Sequence, residues 1–476
     1  MNTYLTVILS YFLFIILVSL FTRRIASRSA ADFLVAGRNL GLVACAVVVA
    51  SEWLGGMSTI GVSEKAFTSG TMQPVLYNIS TAAGMIIIGF TVARHYREKN
   101  VHTVSEMLES LFGRKAGSIS AIAFMIAYIT LSYVQLQTCA SVLAPLFEIS
   151  WTNAVLVSSI IITAYTYVGG MHALAITGII HVIAMFLGTG IALFVGLEKM
   201  SGMETLSARL VELGSPANWY NPFSGGISYA LSLVVGGVLG GMAGQASIQP
   251  IFSARNIRTA KNAAILSSLI IAPFGIMVAL LGLIAKTGFF IDADAIMNPK
   301  MVLPALLTSE SFIHPVLGGI ALAGILAAIL STVGPVNFAV VTIATRDIYH
   351  NLVNRTAADR KIVATARRLV VLVNLVTVPL AIFIHGAILD AAYVSYAIRA
   401  IGAIVIVLGI YRKGWISSTG VRWAFAGGTV SVLLAVLGNR FGLFSIEETF
   451  VGVGSAIFFI VTGNLWSKWS GRPVSG

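Results

Sequence analysis

The sequence predicts an all-α protein that crosses a membrane about thirteen times. Of its 476 residues, 57% are hydrophobic and only 10% are charged, and the mean hydropathy is +0.91. A soluble domain carries about 25% charged residues. Apolar segments of about 20 residues, the length that spans a bilayer as a helix, recur along the chain. We therefore expect a multi-pass protein of a cell membrane, surrounded by the lipid bilayer.

Thirteen apolar segments give the order of the predicted spans. They fall near 4–22, 43–63, 74–93, 118–145, 151–169, 173–197, 226–251, 263–286, 313–345, 367–385, 387–411, 421–439 and 449–467. The first segment has no basic region before it and is followed by Arg23 and Arg24. We therefore expect it to be a membrane helix rather than a cleaved signal peptide.

The lysines and arginines predict the orientation of these spans. Of the 30, six lie in one set of loops, Arg399 lies within a span, and the other 23 lie in the opposite set of loops. Such an excess marks the inner side of the membrane, so the N-terminus is predicted outside and the C-terminus inside. Orientation also accounts for the net charge of +12, and we expect no nucleic-acid partner.

The loops and cysteines give no sign of an enzyme. Residues 103–106 read TVSE, a capping-box spacing that predicts a short inner helix, and residues 201–213 predict an amphipathic outer helix. The chain has no GxxxxGK[ST] phosphate loop. Cys45 and Cys139 lie in apolar runs without a His/Cys cluster nearby. We therefore predict neither an ATP site nor a catalytic metal centre.

The second apolar segment carries the first candidate site. Residues 41–61 begin as an apolar run, which Ser51, Glu52, Trp53 and the pair at 55–56 (Gly-Gly) interrupt. A carboxylate within a span is costly and by default marks a functional site. A broken helix, whose freed carbonyls line a binding cavity, fits this pattern. A continuous helix whose glycines pack against a neighbour fits it as well.

A second glycine-interrupted span begins five spans later. Residues 236–250 contain five glycines, then Gln245, Gln249 and Pro250. An odd number of helices per repeat reverses topology, so the two broken helices would enter the membrane from opposite sides. Interrupted spans at corresponding positions of two halves point to a transporter binding site near the midplane. The alternative is that these glycines only permit close helix packing.

The ninth span carries two adjacent hydroxyls. Ala328, Ser331 and Thr332 lie one turn apart on a helix face, before Gly334 and Pro335 disturb the helix. Hydroxyl and carbonyl oxygens are the ligands that group 1 and 2 cations prefer. By itself the pattern also fits hydroxyls that bond back to the preceding turn.

Several of these stretches together resemble the sodium:solute symporter family, a branch of the LeuT-type transporters. The similarity covers about residues 30–412. The matching stretches, apart from the first broken helix, are DFLVAGR (32–38), YTYVGGMHALAITG (165–178), GQASIQPIFSARNIRTAK (244–261) and LAAILST with TRDIY (326–349).

The resemblance implies a core of two inverted five-helix repeats. These would span 41–197 and 226–412, joined by an outer loop at 198–225. An extra helix and inner loop at 1–40 would precede the core, and two helices at 413–476 would follow it. The resemblance also implies sodium as the coupling ion.

The family's cation site uses oxygens of the first and eighth core helices. By motif position, the resemblance places this site at the backbone of Ala46 and Val49, with Ala328, Ser331 and Thr332. These five are the predicted sodium ligands.

One departure from the family pattern concerns a second sodium site. Many relatives have an aspartate and a glutamine in the fifth core helix, whereas here Thr177 is followed by Gly178, and His181 stands at the glutamine position. We therefore predict one coupled sodium ion per cycle. Two interpretations of His181 stay open: a proton site, or a neutral histidine that bonds to a backbone carbonyl.

The solute should bind among core helices one, two, three, six and ten. The candidates are Glu52, Trp53, Tyr77, Ser80, Gln137, Gln245, Gln249 and Arg399. Arg399 lies too deep in its span to snorkel easily. It would either bind a solute carboxylate with both ends of its guanidinium, or neutralise Glu52 or Asp390.

Trp53 supports a different solute. An aromatic residue before a glycine pair resembles the choline branch of the family, in which aromatic rings attract a quaternary ammonium. We favour sodium-coupled symport of a small carboxylate-bearing organic solute by alternating access. A proton-coupled symporter, a choline-like symporter and a sensor with a transporter fold remain alternatives. The sequence does not indicate an oligomeric state.

Overall fold

The computed structural model describes residues 3–26, 39–99, 101–169, 171–412 and 414–470. The stretch at 32–38, on which part of the family resemblance depends, lies outside them. Within the described residues the chain is helical, and its β-structure is one isolated bridge between Leu40 and Ala254.

Nineteen α-helices are present in the described part of the chain. The first ten are α1 (Thr3–Ala26), α2 (Leu42–Trp53), α3 (Val62–Ser69), α4 (Leu76–Phe90), α5 (Ala93–Glu98), α6 (Val104–Phe112), α7 (Arg114–Phe147), α8 (Trp151–Gly169), α9 (Met171–Lys199) and α10 (Met203–Glu212). The other nine are α11 (Ile227–Met242), α12 (Gln245–Phe252), α13 (Ile257–Lys286), α14 (Val302–Thr308), α15 (Pro315–Ile343), α16 (Asp359–Phe383), α17 (Ile388–Tyr411), α18 (Ser418–Arg440) and α19 (Glu448–Trp469).

The number of membrane spans is close to the prediction. Among the described residues, ten helical segments are long and apolar enough to cross a membrane, and the bent pair α2–α3 makes eleven. Two shorter apolar helices, Thr3–Val18 and Trp151–Ala164, correspond to the other two predicted spans. The multi-pass fold is confirmed, whereas the count of thirteen is not.

The first broken helix is present where the glycine pair predicts it. Helix α2 ends at Trp53, a π-helix covers Met57–Gly61, and α3 continues the span after a bend of 53°. A helix end leaves its last carbonyls without helical partners. One of these, the Trp53 carbonyl oxygen, accepts a hydrogen bond of 2.6 Å from the Ser58 hydroxyl.

The second interruption separates α11 from α12 at Ala243 and Gly244. The freed carbonyl oxygen of Met242 accepts a 2.8 Å bond from the Tyr96 hydroxyl. At the predicted inner side, the bridge between Leu40 and Ala254 joins the segment before α2 to the segment after α12. The two broken spans are therefore tied together at one end.

The other helices surround this pair. Helix α2 packs against α9, α12, α13 and α15, while α17 packs against α7 and α11. The predicted inner helix begins at its Thr103 N-cap, whose hydroxyl accepts a bond from the backbone N–H of Glu106 at the start of α6, while the Glu106 carboxylate accepts from the backbone N–H of His102. The predicted outer amphipathic helix is α10.

Candidate functional site

The break in the first span meets the hydroxyl pair of α15. The carbonyl oxygen of Ser51 accepts hydrogen bonds from the hydroxyls of Thr332, at 2.7 Å, and Ser331, at 3.2 Å. The Ser331 hydroxyl also lies 2.7 Å from the carbonyl oxygen of Ala328. Four hard oxygens from two helices thus converge at one buried place, the kind of donor set that a small alkali cation binds.

The family resemblance predicts the backbone of Ala46 and Val49 as the oxygens that α2 contributes, and these two residues stay predictions. Both residues are buried in α2 and precede Ser51 along that helix. The Ser51 carbonyl is the one that reaches both hydroxyls. Since a helix end frees the carbonyls of its last turn, the position of the glycine pair was a signal that could have indicated Ser51.

Glycine is required at the break for this contact. A Cβ atom on Gly55 would lie 2.0 Å from the Thr332 Oγ1 atom, and one on Gly56 would lie 2.2 Å from the Thr138 Oγ1 atom. Both distances are far inside van der Waals contact. Gly55 therefore allows α15 to approach the broken helix closely enough for the Thr332 hydroxyl to reach Ser51.

Arg399 forms the centre of a second cluster. Its side chain has no exposed surface, and its guanidinium carbon lies 5.2 Å from the Trp53 ring centre, 5.3 Å from Tyr128 and 5.0 Å from Tyr396. Cation–π attraction to three rings replaces part of the hydration that the guanidinium loses on burial.

The charge of Arg399 has one acidic partner. The Arg399 Nη1 atom lies 3.9 Å from Glu52 Oε1, and both side chains are buried. All three guanidinium nitrogens and the Glu52 Oε2 atom lack a hydrogen-bond partner among the described residues. Unsatisfied buried charges are expensive, so this pair has donors and an acceptor available for a ligand.

The second broken helix also reaches this cluster. A Cβ atom on Gly244 would lie 1.9 Å from Arg399 Nη2, so the interruption before α12 leaves space for the guanidinium. The Tyr128 hydroxyl accepts a 2.9 Å bond from the backbone N–H of Ala246, in the first turn of α12. Arg399 thus lies between the breaks of the two interrupted spans, as predicted for a transporter site.

Trp53 and Tyr77 belong to the aromatic wall of this cluster. The rings of Tyr77 and Tyr396 are stacked with centres 6.1 Å apart, and their hydroxyls lie 3.0 Å from each other. Sequence reasoning missed Tyr396 and Tyr128. The spacing of Tyr396 from Arg399, three residues along one helix, was a signal that could have found Tyr396.

The other predicted solute ligands have different partners. Ser80 donates to the carbonyl oxygen of Leu233 and so joins α4 to α11. Gln137 donates to the carbonyl oxygens of Ala381 and Ile384 near the outer end of α16.

The two glutamines of α12 also bond away from Arg399. The Gln245 side chain bonds to the backbone of His102 and Val104, and Gln249 donates to the Thr342 hydroxyl. The structure therefore brings Glu52, Trp53 and Tyr77 to Arg399.

Asp390 is held outside the Arg399 cluster. It forms a 2.8 Å ion pair with Lys65 of α3 and accepts a 3.0 Å hydrogen bond from the Tyr229 hydroxyl of α11. These three residues join both broken spans to α17 on the predicted outer side.

The predicted inner side carries another polar network. The Thr103 hydroxyl donates to Asp347 at 2.8 Å, and Arg346 lies 3.4 Å from Glu106. Burial raises the pKa of Glu106, but hydrogen bonds from His102 and the charge of Arg346 outweigh burial and lower that pKa to about 2. The network joins the capped helix α6 to the end of α15.

His181 lies against the first helix. Its ring is fully buried in α9, and Nδ1 lies 2.5 Å from the hydroxyl of Tyr11 in α1. Gly178 lies on the same helix, and a Cβ atom there would meet Ser51 Oγ at 3.7 Å, an ordinary contact.

Comparison with known proteins links this arrangement to transport. A family model described as the sodium:solute symporter family matches residues 33–428. The sodium/proline symporter 2 of Staphylococcus saprophyticus is 23% identical, over 100% of this chain and 94% of its own. The human high affinity choline transporter 1 is 23% identical, over 76% of this chain and 65% of its own, so this chain spans just under two thirds of that relative. Both relatives are named as transporters, in agreement with the prediction of a transporter rather than an enzyme.

Solved structures agree on the fold. A sodium-coupled sialic acid symporter in a substrate-bound, outward-open state has a TM-score of 0.82 over 98% of both chains, at 17% identity. The nucleobase-cation-symport-1 family transporter MHP1 in a closed conformation has a TM-score of 0.60 over 94% of this chain and 97% of its own, at 14% identity. These likenesses show the fold alone, and they confirm the predicted LeuT-type architecture.

Proposed function

The chain belongs to the sodium:solute symporter family, and from that premise we propose that it couples sodium entry to the symport of a small carboxylate-bearing solute across the cell membrane. The observation that carries the proposal is the meeting of Ser51, Ser331 and Thr332 at the break of α2, beside a buried arginine with free donors.

The proposed sodium ligands are the carbonyl oxygens of Ser51 and Ala328 and the hydroxyls of Ser331 and Thr332, together with the backbone of Ala46 and Val49, which the family resemblance predicts. Both hydroxyls donate to carbonyls in this structure, and rotation about their Cβ–O bonds would turn lone pairs toward a cation. These ligands come from the broken span and from α15, so a bound cation would hold the two helices together. One such site supports one sodium ion per cycle.

The proposed solute group is a carboxylate at Arg399. A planar guanidinium matches a carboxylate with two parallel hydrogen bonds, and the nitrogens of Arg399 have no such partner among the described residues. The aromatic wall argues against a choline-like solute. Because Arg399 already occupies the face of Trp53, Tyr128 and Tyr396, a second cation there would be repelled.

The positions of the two polar networks, one on each predicted side of the cluster, support alternating access. The side chains of Glu52 and Arg399 are at most 1% exposed, so the cluster is occluded between the Lys65–Asp390 pair and the network of Thr103 and Asp347. Opening one network at a time would connect the cluster to one side of the membrane. Sodium and solute would shift this equilibrium through their different affinities for the two states.

Proton coupling is the second candidate for the driving ion. The observation that favours it is the partly buried contact between His181 of α9 and the Tyr11 hydroxyl, since α9 packs against α2. If protons drive uptake, the solute should accumulate in response to a pH gradient in the absence of sodium.

The test is uptake into proteoliposomes of the full chain, with an inward sodium gradient against an inward potassium gradient. The radiolabelled panel contains monocarboxylates, amino acids, choline and neutral sugars. We expect sodium-driven accumulation of a carboxylate-bearing compound. Accumulation of choline alone, or accumulation driven equally by potassium, would contradict the proposal.

Two variants test the role of Arg399 in that assay. Arg399→Lys keeps the charge beside Glu52 but cannot make the two-point contact, so it should weaken uptake of the carboxylate at least tenfold at low solute concentration. Arg399→Gln should abolish that uptake. Retention of uptake in both variants would remove Arg399 from the solute site.

A further inference from the structure

An outer cavity lies between α3, the start of α8 and the connection from α16 to α17. Its volume is about 380 Å³, within the range of small-molecule sites. The polar and aromatic residues in its wall are Glu64, Trp151, Asn298, Lys300 and His385. None of these residues contacts the Arg399 cluster in any described hydrogen bond or ion pair.

Lys300 supplies a positive charge to this cavity. Only 7% of the residue is exposed, and its Nζ atom donates to Gln137 Oε1 at 3.2 Å and lies 5.6 Å from the Trp151 ring centre. Among the described residues, no carboxylate lies within ion-pair distance of Nζ. Burial lowers the pKa of Lys300, and the charge of Glu64 opposes that shift. An ammonium group has three donors, so two remain for a ligand.

The side chain of Gln137 holds its acceptor in place. Its amide nitrogen donates to the carbonyl oxygens of Ala381, at 3.1 Å, and Ile384, at 2.6 Å. These two bonds orient Oε1 toward Lys300. Gln137, which the sequence predicts as a solute ligand, therefore contacts a residue of this outer cavity.

Glu64 supplies the opposite charge. The residue is 5% exposed, and its Oε2 atom accepts a 2.9 Å bond from the backbone N–H of Ile388. Among the described hydrogen bonds, none involves its other carboxylate oxygen. Glu64 and Lys300 line the same cavity without pairing directly, so each charge is desolvated and incompletely neutralised.

We propose that this cavity binds a small zwitterionic solute, with the solute carboxylate on Lys300 and the solute ammonium on Glu64. A zwitterion neutralises both wall charges at once, whereas a simple anion or cation leaves one of them unpaired. The indole of Trp151 provides an apolar wall. The site goes beyond the proposed sodium-coupled transport, because binding there requires neither Arg399 nor Ser331 and Thr332.

The test measures thermal stabilisation of the full chain in lipid nanodiscs by L-alanine, L-phenylalanine and glycine betaine. Propionate and ethylamine are the single-charge controls. The background is the double variant Glu52→Gln/Arg399→Gln, which removes the central ion pair as a pair. We expect at least one zwitterion to raise the melting temperature in this background, and neither single-charge compound to do so.

Variants of the cavity complete the test. Lys300→Met and Glu64→Gln, added to that background, should each weaken zwitterion binding at least tenfold, while the glutamine still accepts the Ile388 bond and preserves local structure. Lys286→Met is the matched control, since that outer lysine faces Phe67 and lines no part of this cavity. The proposal is overturned if no zwitterion binds, if propionate or ethylamine binds equally, or if binding survives both cavity variants.

Failure of this site and failure of transport are separable. Zwitterion binding is measured in a protein that lacks the Glu52–Arg399 pair, and the measurement uses no ion gradient. Loss of zwitterion binding alone leaves sodium-driven uptake intact, and absence of uptake leaves the binding result unchanged.

Discussion

The hydroxyl oxygen of Thr332 lies 2.7 Å from the carbonyl oxygen of Ser51, which joins the middle of α15 to the last turn of α2. Neither residue has more than 1% of its surface exposed. Because a cation bound here would contact both helices, its affinity would depend on how α2 and α15 are positioned relative to each other. This contact is the reason for placing the proposed sodium site at the break.

Gly55→Ala should remove sodium binding. The added Cβ atom would lie 2.0 Å from Thr332 Oγ1, so α15 must move away from Ser51, and overpacking of this kind costs about 1–3 kcal/mol of stability. The measurement is the difference in melting temperature between sodium and potassium buffers. Gly178→Ala is the control, because its Cβ atom would meet Ser51 Oγ at 3.7 Å and should leave the difference intact. A normal sodium effect in Gly55→Ala would count against the site.

Gly244→Ala should disrupt the solute site and spare the sodium site. Its Cβ atom would lie 1.9 Å from Arg399 Nη2, which forces the guanidinium from its position among the rings. We expect at least a tenfold loss of carboxylate uptake with the sodium-dependent stabilisation retained. Gly241→Ala is the matched control, since its Cβ atom would meet Met85 and Trp53 at 3.5 Å. Equal uptake by the two variants would refute the role of this close approach.

Asp390→Asn should loosen the outer closure. The Lys65–Asp390 pair is partly exposed, with side-chain exposures of 23% and 46%, so its loss should cost only about 0.2–1 kcal/mol of stability. Its effect on access should be larger, because the pair joins α3 to α17. The measurement is hydrogen exchange of the backbone amides, which should become faster in the outer turns of α3 and α17. Arg94→Gln, which breaks an exposed pair with Glu98 at the inner side, should leave that exchange unchanged.

The inner network should make stability depend on pH. The pKa of Glu106 falls from 4.5 to about 2 in the folded protein, so the unfolded state binds the proton more readily. The contribution of Glu106 is therefore complete above about pH 4.5 and is lost as the pH falls toward 2. Melting temperatures between pH 6 and pH 3 should fall less in Glu106→Gln than in the unmodified protein. Identical pH profiles would exclude this network as the cause.

Sequence reasoning identified the broken spans because their causes are local. Glycine pairs, a carboxylate in an apolar run and a capping box each act within a few residues, and α2, α12 and α6 follow them. The partners of Arg399 were harder to predict. Tyr128 and Tyr396 reach it from different helices, and only tertiary packing decides that Asp390 pairs with Lys65 instead.

The glutamines show the same limit. Gln137 and Gln245 are polar residues in or beside spans, and sequence alone assigned them to the solute. Their bonds to Lys300 in the outer loop and to the backbone of His102 depend on loops that return to the helix bundle. A loop that folds back onto the helix bundle produces no hydrophobic periodicity from which its contacts could be predicted.

The proposed sodium site at the break of α2 is tested most directly by the melting temperature in sodium against potassium at equal ionic strength. Binding to the folded state raises stability by mass action. The decisive variant is Ser331→Ala/Thr332→Ala. Its matched control is Ser267→Ala/Ser268→Ala, an adjacent, buried pair whose hydroxyls bond only within α13.

We expect a sodium-specific rise in melting temperature for the unmodified chain and for the Ser267/Ser268 control, and none for the Ser331/Thr332 variant. Equal melting temperatures in sodium and potassium for the unmodified chain, or an undiminished sodium effect in the Ser331/Thr332 variant, would rule out a sodium site at this place.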